Sequence, residues 1–151
     1  MIVPKYGHLV KRNPMSNWRH IYPLLTAYTL NTEGQEDWGG VPFCLGFFCL
    51  DKPFLMVDEP HTHDFEQFLI FLGGNSMHIE DFDAEIELYL GPEQEKHLIM
   101  SPTIVHIPKG LVHCPLNFKV INKPIVFIDC MLTPEYIRKP LAKKRKSVAK
   151  K

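Results

Sequence analysis

The chain has 151 residues, 45% hydrophobic and 23% charged, which suits one globular domain with a sizeable core. Its 17 basic and 17 acidic residues balance, but six Lys/Arg and no acid fall in residues 141–151. That leaves 11 basic against 17 acidic residues in the body, a poor match for nucleic acid.

In chain order, residues 1–40 read as an irregular N-terminal arm and a first element. Pro4, Gly7, Pro14 and Pro23 break any regular pattern in the arm. Residues 21–30 are largely apolar and fit a strand or a short helix. Residues 31–40 are polar, end in Gly39-Gly40, and read as a loop. Strands are predicted at 41–50 and 54–57. Asp58-Glu59-Pro60 then leads into His61-Thr62-His63-Asp64-Phe65-Glu66-Gln67 and the apolar run Phe68-Leu69-Ile70-Phe71-Leu72, closed by Gly73-Gly74. That run reads as a strand, and residues 77–80 as its continuation. Residues 84–90 alternate acid and apolar, which predicts a strand with one wet face. A charged turn at 91–96 precedes short strands at 97–100, 104–107, 116–121 and 125–132. Residues 137–151 read as a basic, disordered tail. Many short strands with frequent turns and no long helical period predict an all-β antiparallel sandwich or barrel over residues 41–136.

Residues two apart on a strand share a face. His61, His63, Phe65 and Gln67 therefore point one way, and Thr62, Asp64 and Glu66 the other. Two imidazoles and an amide on one face can converge on a cation. A second stretch, Pro108-Lys109-Gly110-Leu111-Val112-His113-Cys114-Pro115-Leu116-Asn117, supplies His113 from a tight turn.

Together the two stretches resemble the cupin superfamily. His61, His63, Gln67 and Gly74 match its first motif, and Pro108, Gly110, His113 and Asn117 match the core of its second. The glycines that usually open the motifs fall here on Leu55 and Pro102. The resemblance, which covers about residues 42–132, implies an antiparallel jelly-roll β-barrel and a metal site of His61, His63, Gln67 and His113. Imidazole suits several transition metals, so the expectation is one divalent ion among Fe, Zn, Ni and Mn. Glu66 competes with Gln67 for the fourth position; strand parity favours Gln67. A neutral amide leaves a site charge of +2, the stronger Lewis acid. That points to isomerase or lyase chemistry on a small oxygen-rich or anionic substrate. A cupin dioxygenase and a non-catalytic ligand-binding module are the alternatives.

Asp129 interrupts the apolar run 125–132 on the face of Phe127 and Met131. It is a candidate catalytic acid or base, or a partner of a metal ligand. His106 is a weaker pocket candidate. His8, His20, His78 and His97 read as arm or surface residues. Cys114 follows His113 directly and is expected to point away into the core with the other cysteines, Cys44, Cys49 and Cys130. The sequence predicts no signal peptide and no membrane span, and hence a reducing cytoplasm. Phe68, Ile70 and Leu72 oppose Leu69 and Phe71 across one strand. One set fills the interior and the other needs cover, which predicts a homodimer.

Overall fold

In the computed structural model, residues 4–17, 21–23 and 29–142 are described. His20, most of the element expected at 21–30, and residues 143–151 of the basic tail lie outside them. The strands are β1 (Met15–Ser16), β2 (Thr29–Glu33), β3 (Cys44–Leu50), β4 (Phe54–Val57), β5 (His61–Thr62), β6 (Gln67–Gly73), β7 (Ala84–Leu90), β8 (Glu95–Ile99), β9 (Thr103–Ile107), β10 (His113–Ile121), β11 (Ile125–Met131) and β12 (Lys139–Pro140). One short helix, α1 (Gly34–Trp38), follows β2.

Every pairing is antiparallel. One sheet runs β1-β2-β3-β11-β6-β9, and the other β12-β5-β10-β7-β8, with β4 also on β10. The sheets face each other as a jelly roll, and the described strands do not join into a closed hydrogen-bonded ring. Alternation along β6 puts Leu69 and Phe71 inside, and β11 adds Phe127. The facing sheet answers with Ile86, Leu88 and Phe118. Phe118 meets Phe127 edge-on at 5.4 Å, and Phe71 at 6.3 Å. Burying each of these side chains contributes about 1.5–3 kcal/mol.

Four expectations need correction. Residues 31–33 are not loop: Leu30 to Glu33 pair with β3, and α1 begins only at Gly34. Residues 77–80 are turn, not strand, with Met77 81% exposed. Gly74 sits where that excursion closes, and a Cβ there would meet the Pro124 carbonyl oxygen at 2.4 Å. The face of β7 expected to be wet is covered at Glu87, whose carboxylate pairs with Lys96 at 2.6 Å and Lys119 at 3.3 Å. Residues 137–142, grouped with the tail, instead carry β12, which pairs Lys139 with Thr62 and Pro140 with His61.

Candidate metal centre

His61 and His113 are register partners across β5 and β10. The strand expected to run unbroken from His61 is interrupted at residues 63–66, yet its parity survives. His61, His63, Phe65 and Gln67 are all buried, while Thr62, Asp64 and Glu66 are more exposed. The two motifs are stitched together by the Gly110 N–H, which donates to the His63 carbonyl at 2.8 Å. Gly110 has φ +83°, a conformation that glycine adopts without steric cost.

The three imidazoles form a tight triangle, with ring centroids 4.4 to 4.9 Å apart. Each Nδ1 meets a backbone carbonyl: His61 that of Glu59 at 2.9 Å, His63 that of Ile137 at 2.7 Å, His113 that of Leu111 at 2.9 Å. A carbonyl only accepts, so each Nδ1 must carry the proton. In a neutral ring that leaves Nε2 as a bare lone pair. Burial keeps the rings neutral: it lowers the His61 pKa and brings His63 and His113 down to about 4. Nevertheless, Nε2 of His61 and Nε2 of His63 lie 3.1 Å apart. No proton is available to join them, and two lone pairs at that distance repel. Two nitrogens bound to one ion, each at about 2.0–2.1 Å, stand at about this separation.

Gln67 lies on the same buried face as His61 and His63, as strand parity predicts. Its amide N–H donates to Asp129 Oδ1 at 2.8 Å. Its Oε1 is buried and has no hydrogen-bond partner, which is the state of an unused ligand atom. Three lone pairs and an orphaned oxygen fit a divalent transition metal. Glu66 is directed outward to His106 Nε2 at 2.5 Å, and that bond lowers its pKa. His106, on the outer side of β9, therefore serves Glu66 and not the cavity. His78 and His97 pair with the surface acids Glu80 and Glu95, and His8 is exposed.

Asp129 lines the same cavity as His61, Gln67 and His113. Burial raises its pKa to about 6, against the opposing pull of the Gln67 hydrogen bond. The cavity measures about 510 Å³ and is walled largely by apolar side chains, among them Phe48, Met56, Val57, Leu69, Leu116 and Phe127. Phe65 stacks on the His63 ring at 4.5 Å, while Phe71 belongs to the deeper core.

Two features differ from the sequence reading. Cys114 and Cys44 are buried in the core as expected, whereas Cys49 is exposed; but Cys114 does not point away from His113, since ligand atoms of His61, His113 and Cys114 all lie within 4.8 Å of one another. The pairing of β10 slips between His113 and Leu116, and Cys114 has φ +76°. A bulge of this kind resets the alternation, and Pro115 inside a strand was the available signal for it. Burial pushes the Cys114 thiol up to about 12, so it is protonated at neutral pH. The second feature is the segment after Tyr136. It supplies the carbonyl that fixes His63, and it brings Arg138 to the cavity wall, where Arg138 Nε donates to the Tyr136 hydroxyl at 2.7 Å. Arg138 stands next to the lysine-rich tail in sequence, which disguised it as one more tail charge.

No protein-family model matches the sequence, and no curated protein matches it. Solved structures do. An oxalate oxidase in complex with the substrate analogue glycolate superposes with a TM-score of 0.51 at 10% identity, over 87% of this chain and 57% of that one. A recombinant oxalate oxidase with glycolate gives 0.50 at 10% identity, over 85% and 56%. The polyketide cyclase RemF from Streptomyces resistomycificus gives 0.48 at 15% identity, over 78% and 72%. The chain thus spans somewhat more than half the length of the oxalate oxidases it matches.

Proposed function

We propose that this chain, which has the cupin fold, is a metal-dependent enzyme of the isomerase or lyase type acting on a small oxygen-rich or anionic substrate. His61, His63, Gln67 and His113 would hold one divalent ion (Fe, Zn, Ni or Mn). The observation that carries this reading is the set of three Nδ1–H···O=C bonds, which leaves an Nε2 lone pair on each of three rings whose centroids lie 4.4 to 4.9 Å apart. A divalent ion there supplies Lewis acidity to a substrate oxygen, at full +2 charge because all four donors are neutral. Asp129 has two tasks in this scheme. Its carboxylate takes the Gln67 amide N–H, which leaves Oε1 free. Its pKa of about 6 suits a group that accepts and returns a proton near neutral pH. The apolar walls limit water, so charges in the cavity are weakly screened.

Elemental analysis of the purified protein tests the reading. One equivalent of metal is expected in the wild type, and loss of it in His61→Ala and His113→Ala. Full occupancy in His113→Ala would overturn the ligand assignment. Asp129→Asn should bind ligand but turn over about 100-fold or more slowly, in the range of general acid–base catalysis. An unchanged rate in Asp129→Asn would remove Asp129 from the chemistry, and a metal-loaded wild type that binds ligand without turning it over would leave the non-catalytic binding module. The same geometry with a redox-active ion is compatible with a dioxygenase, and oxygen uptake with substrate distinguishes the two.

Assembly and location belong to the same reading. The outer face of the first sheet carries a continuous apolar row, with Phe47, Ile128, Ile70 and Ile104 in register. Ile104 is 68% exposed. A homodimer through this face would cover it, and a monomer by light scattering at micromolar concentration would refute it. The four cysteines are free, as expected in a reducing cytoplasm. No described helix is long and apolar enough to cross a membrane.

A further inference from the structure

We infer that Arg138 is the anion anchor of the cavity, and that the ligand of this site is a monocarboxylic acid with an apolar body. This rests on the reading of the cavity as a substrate site. Among the described residues that line it, Arg138 is the one Lys or Arg. Its partners are phenols: Nε donates to Tyr136, and Tyr22 also shares a hydrogen bond with it. No carboxylate of the described residues forms an ion pair with it. Guanidinium carries five N–H donors, more than two phenols occupy, so donors remain for a planar bidentate partner. The Tyr136 ring also lies under the guanidinium, 5.5 Å from its carbon, which holds its plane. This arginine is exposed and oriented by neutral groups, and Asp129 feels its charge without a direct ion pair.

The rest of the lining selects the anion. The cavity also holds Glu33 and Asp129, so a doubly charged group such as phosphate would meet one cation and two acids. A single carboxylate matches one guanidinium. The volume selects the body. About 510 Å³ lies within the range of roughly 300–1,000 Å³ typical of small-molecule sites. A two-carbon acid would leave most of that space as water against Phe48, Met56, Leu69 and Phe127. An acid with an aromatic or branched aliphatic body fills it and displaces that water.

Calorimetric titration with benzoylformate and its methyl ester tests this. The two share ring and ketone, and differ in charge. Wild-type protein should prefer the acid. Arg138→Gln should lose about 10- to 100-fold in affinity for the acid with the ester unchanged, so the preference disappears. Arg138→Lys should retain part of it, since the charge survives and the bidentate fork does not. If Arg138→Gln fails to fold, Arg138→Lys carries the test, with a loss of about fivefold or more expected for the acid alone. A purely structural role for Arg138 would weaken acid and ester together. That result, an undiminished preference in Arg138→Gln, or no binding of benzoylformate by the wild type at millimolar concentration would overturn the proposal. Repeating the titration on chelator-treated protein separates the two readings. Loss of the metal site alone abolishes metal binding but leaves the dependence on Arg138.

Discussion

The segment after Tyr136 gives the sharpest test of how the centre is built. Truncation after residue 142 removes only the lysine-rich end, while truncation after residue 136 also removes Ile137, Arg138 and β12. In the shorter chain the His63 Nδ1–H loses its acceptor, a 2.7 Å bond to the Ile137 carbonyl. Such a bond contributes about 0.5–1.5 kcal/mol to stability. Its larger effect is on the ion, because losing the partner that orients a ligating histidine costs about 10- to 100-fold in metal affinity. That is about 1.4–2.7 kcal/mol. The exposed Lys139–Asp64 pair is lost as well but does not enter the reckoning. One term opposes the loss. Arg138 disfavours positive charge at His61, His63 and His113, so removing it relieves repulsion of the ion. Arg138→Gln in the full chain isolates this term, with affinity equal to or above wild type. Chelator-competition titration of the variants, with melting temperature as a check on folding, reads out the effects. Truncation after 142 should match the full chain. If truncation after 136 keeps metal affinity within twofold, His63 is not held by this segment and the reasoning fails.

Gln67→Glu should keep one metal per chain while lowering turnover more than ligand affinity, because a carboxylate reduces the site charge by one; unchanged kcat would contradict Lewis-acid chemistry. Cys114→Ser should keep full metal stoichiometry on the proposed set of three imidazoles and Gln67, and loss of metal would make the Cys114 thiol a ligand; elemental analysis checks it. The metal-free protein should lose stability as pH falls from about 6 to about 4. There the unfolded chain protonates two histidines near 6.5 that the folded chain keeps neutral down to about 4. Asp129 works in the opposite sense, since its folded pKa of about 6 lies above its ordinary value. Two proton uptakes against one leave a net slope of about 1.4 kcal/mol per pH unit from His63, His113 and Asp129, readable from urea unfolding at pH 6, 5 and 4. An increase in stability over that range would refute the buried-neutral assignment.

Much of the site was legible because strand parity is a local rule that survived a broken strand. Counting by two from His61 selects His63, Phe65 and Gln67 and rejects Glu66, and the structure sends Glu66 to His106 on the outside. The same rule failed at Cys114, where the slipped pairing of β10 and a positive φ reset the count. Parity holds only between bulges, and a bulge depends on tertiary pairing. Residues 31–33 look polar because their strand lies beside the cavity; Asn31, Thr32 and Glu33 all line it. Arg138 was hidden for a different reason. Composition averages over a window, and the window that contains Arg138 also contains the lysines of the tail. Its place in the cavity lining shows that it belongs to the site, on the segment that β12 pairs to β5.

The centre draws its parts from both sheets. His61 and His113 come from one, Gln67 and Asp129 from the other, and His63 from the segment that crosses between them. β12 closes on β5 from the far end of the chain. An ion held by these groups binds the folded chain and not the unfolded one, so it stabilises the packing of the two sheets by mass action. Charge completes the argument. A divalent ion on the four proposed donors, all neutral, would carry its full +2, and Arg138 would add one more. Asp129 and Glu33, the acids along the wall, subtract from that charge: burial raises both pKa values, yet Asp129 at about 6 is mostly ionised at neutral pH. A monoanion spanning the wall from Arg138 toward the ion supplies the missing negative charge. The same balance that leaves Arg138 without an acid partner therefore predicts the sign of the ligand.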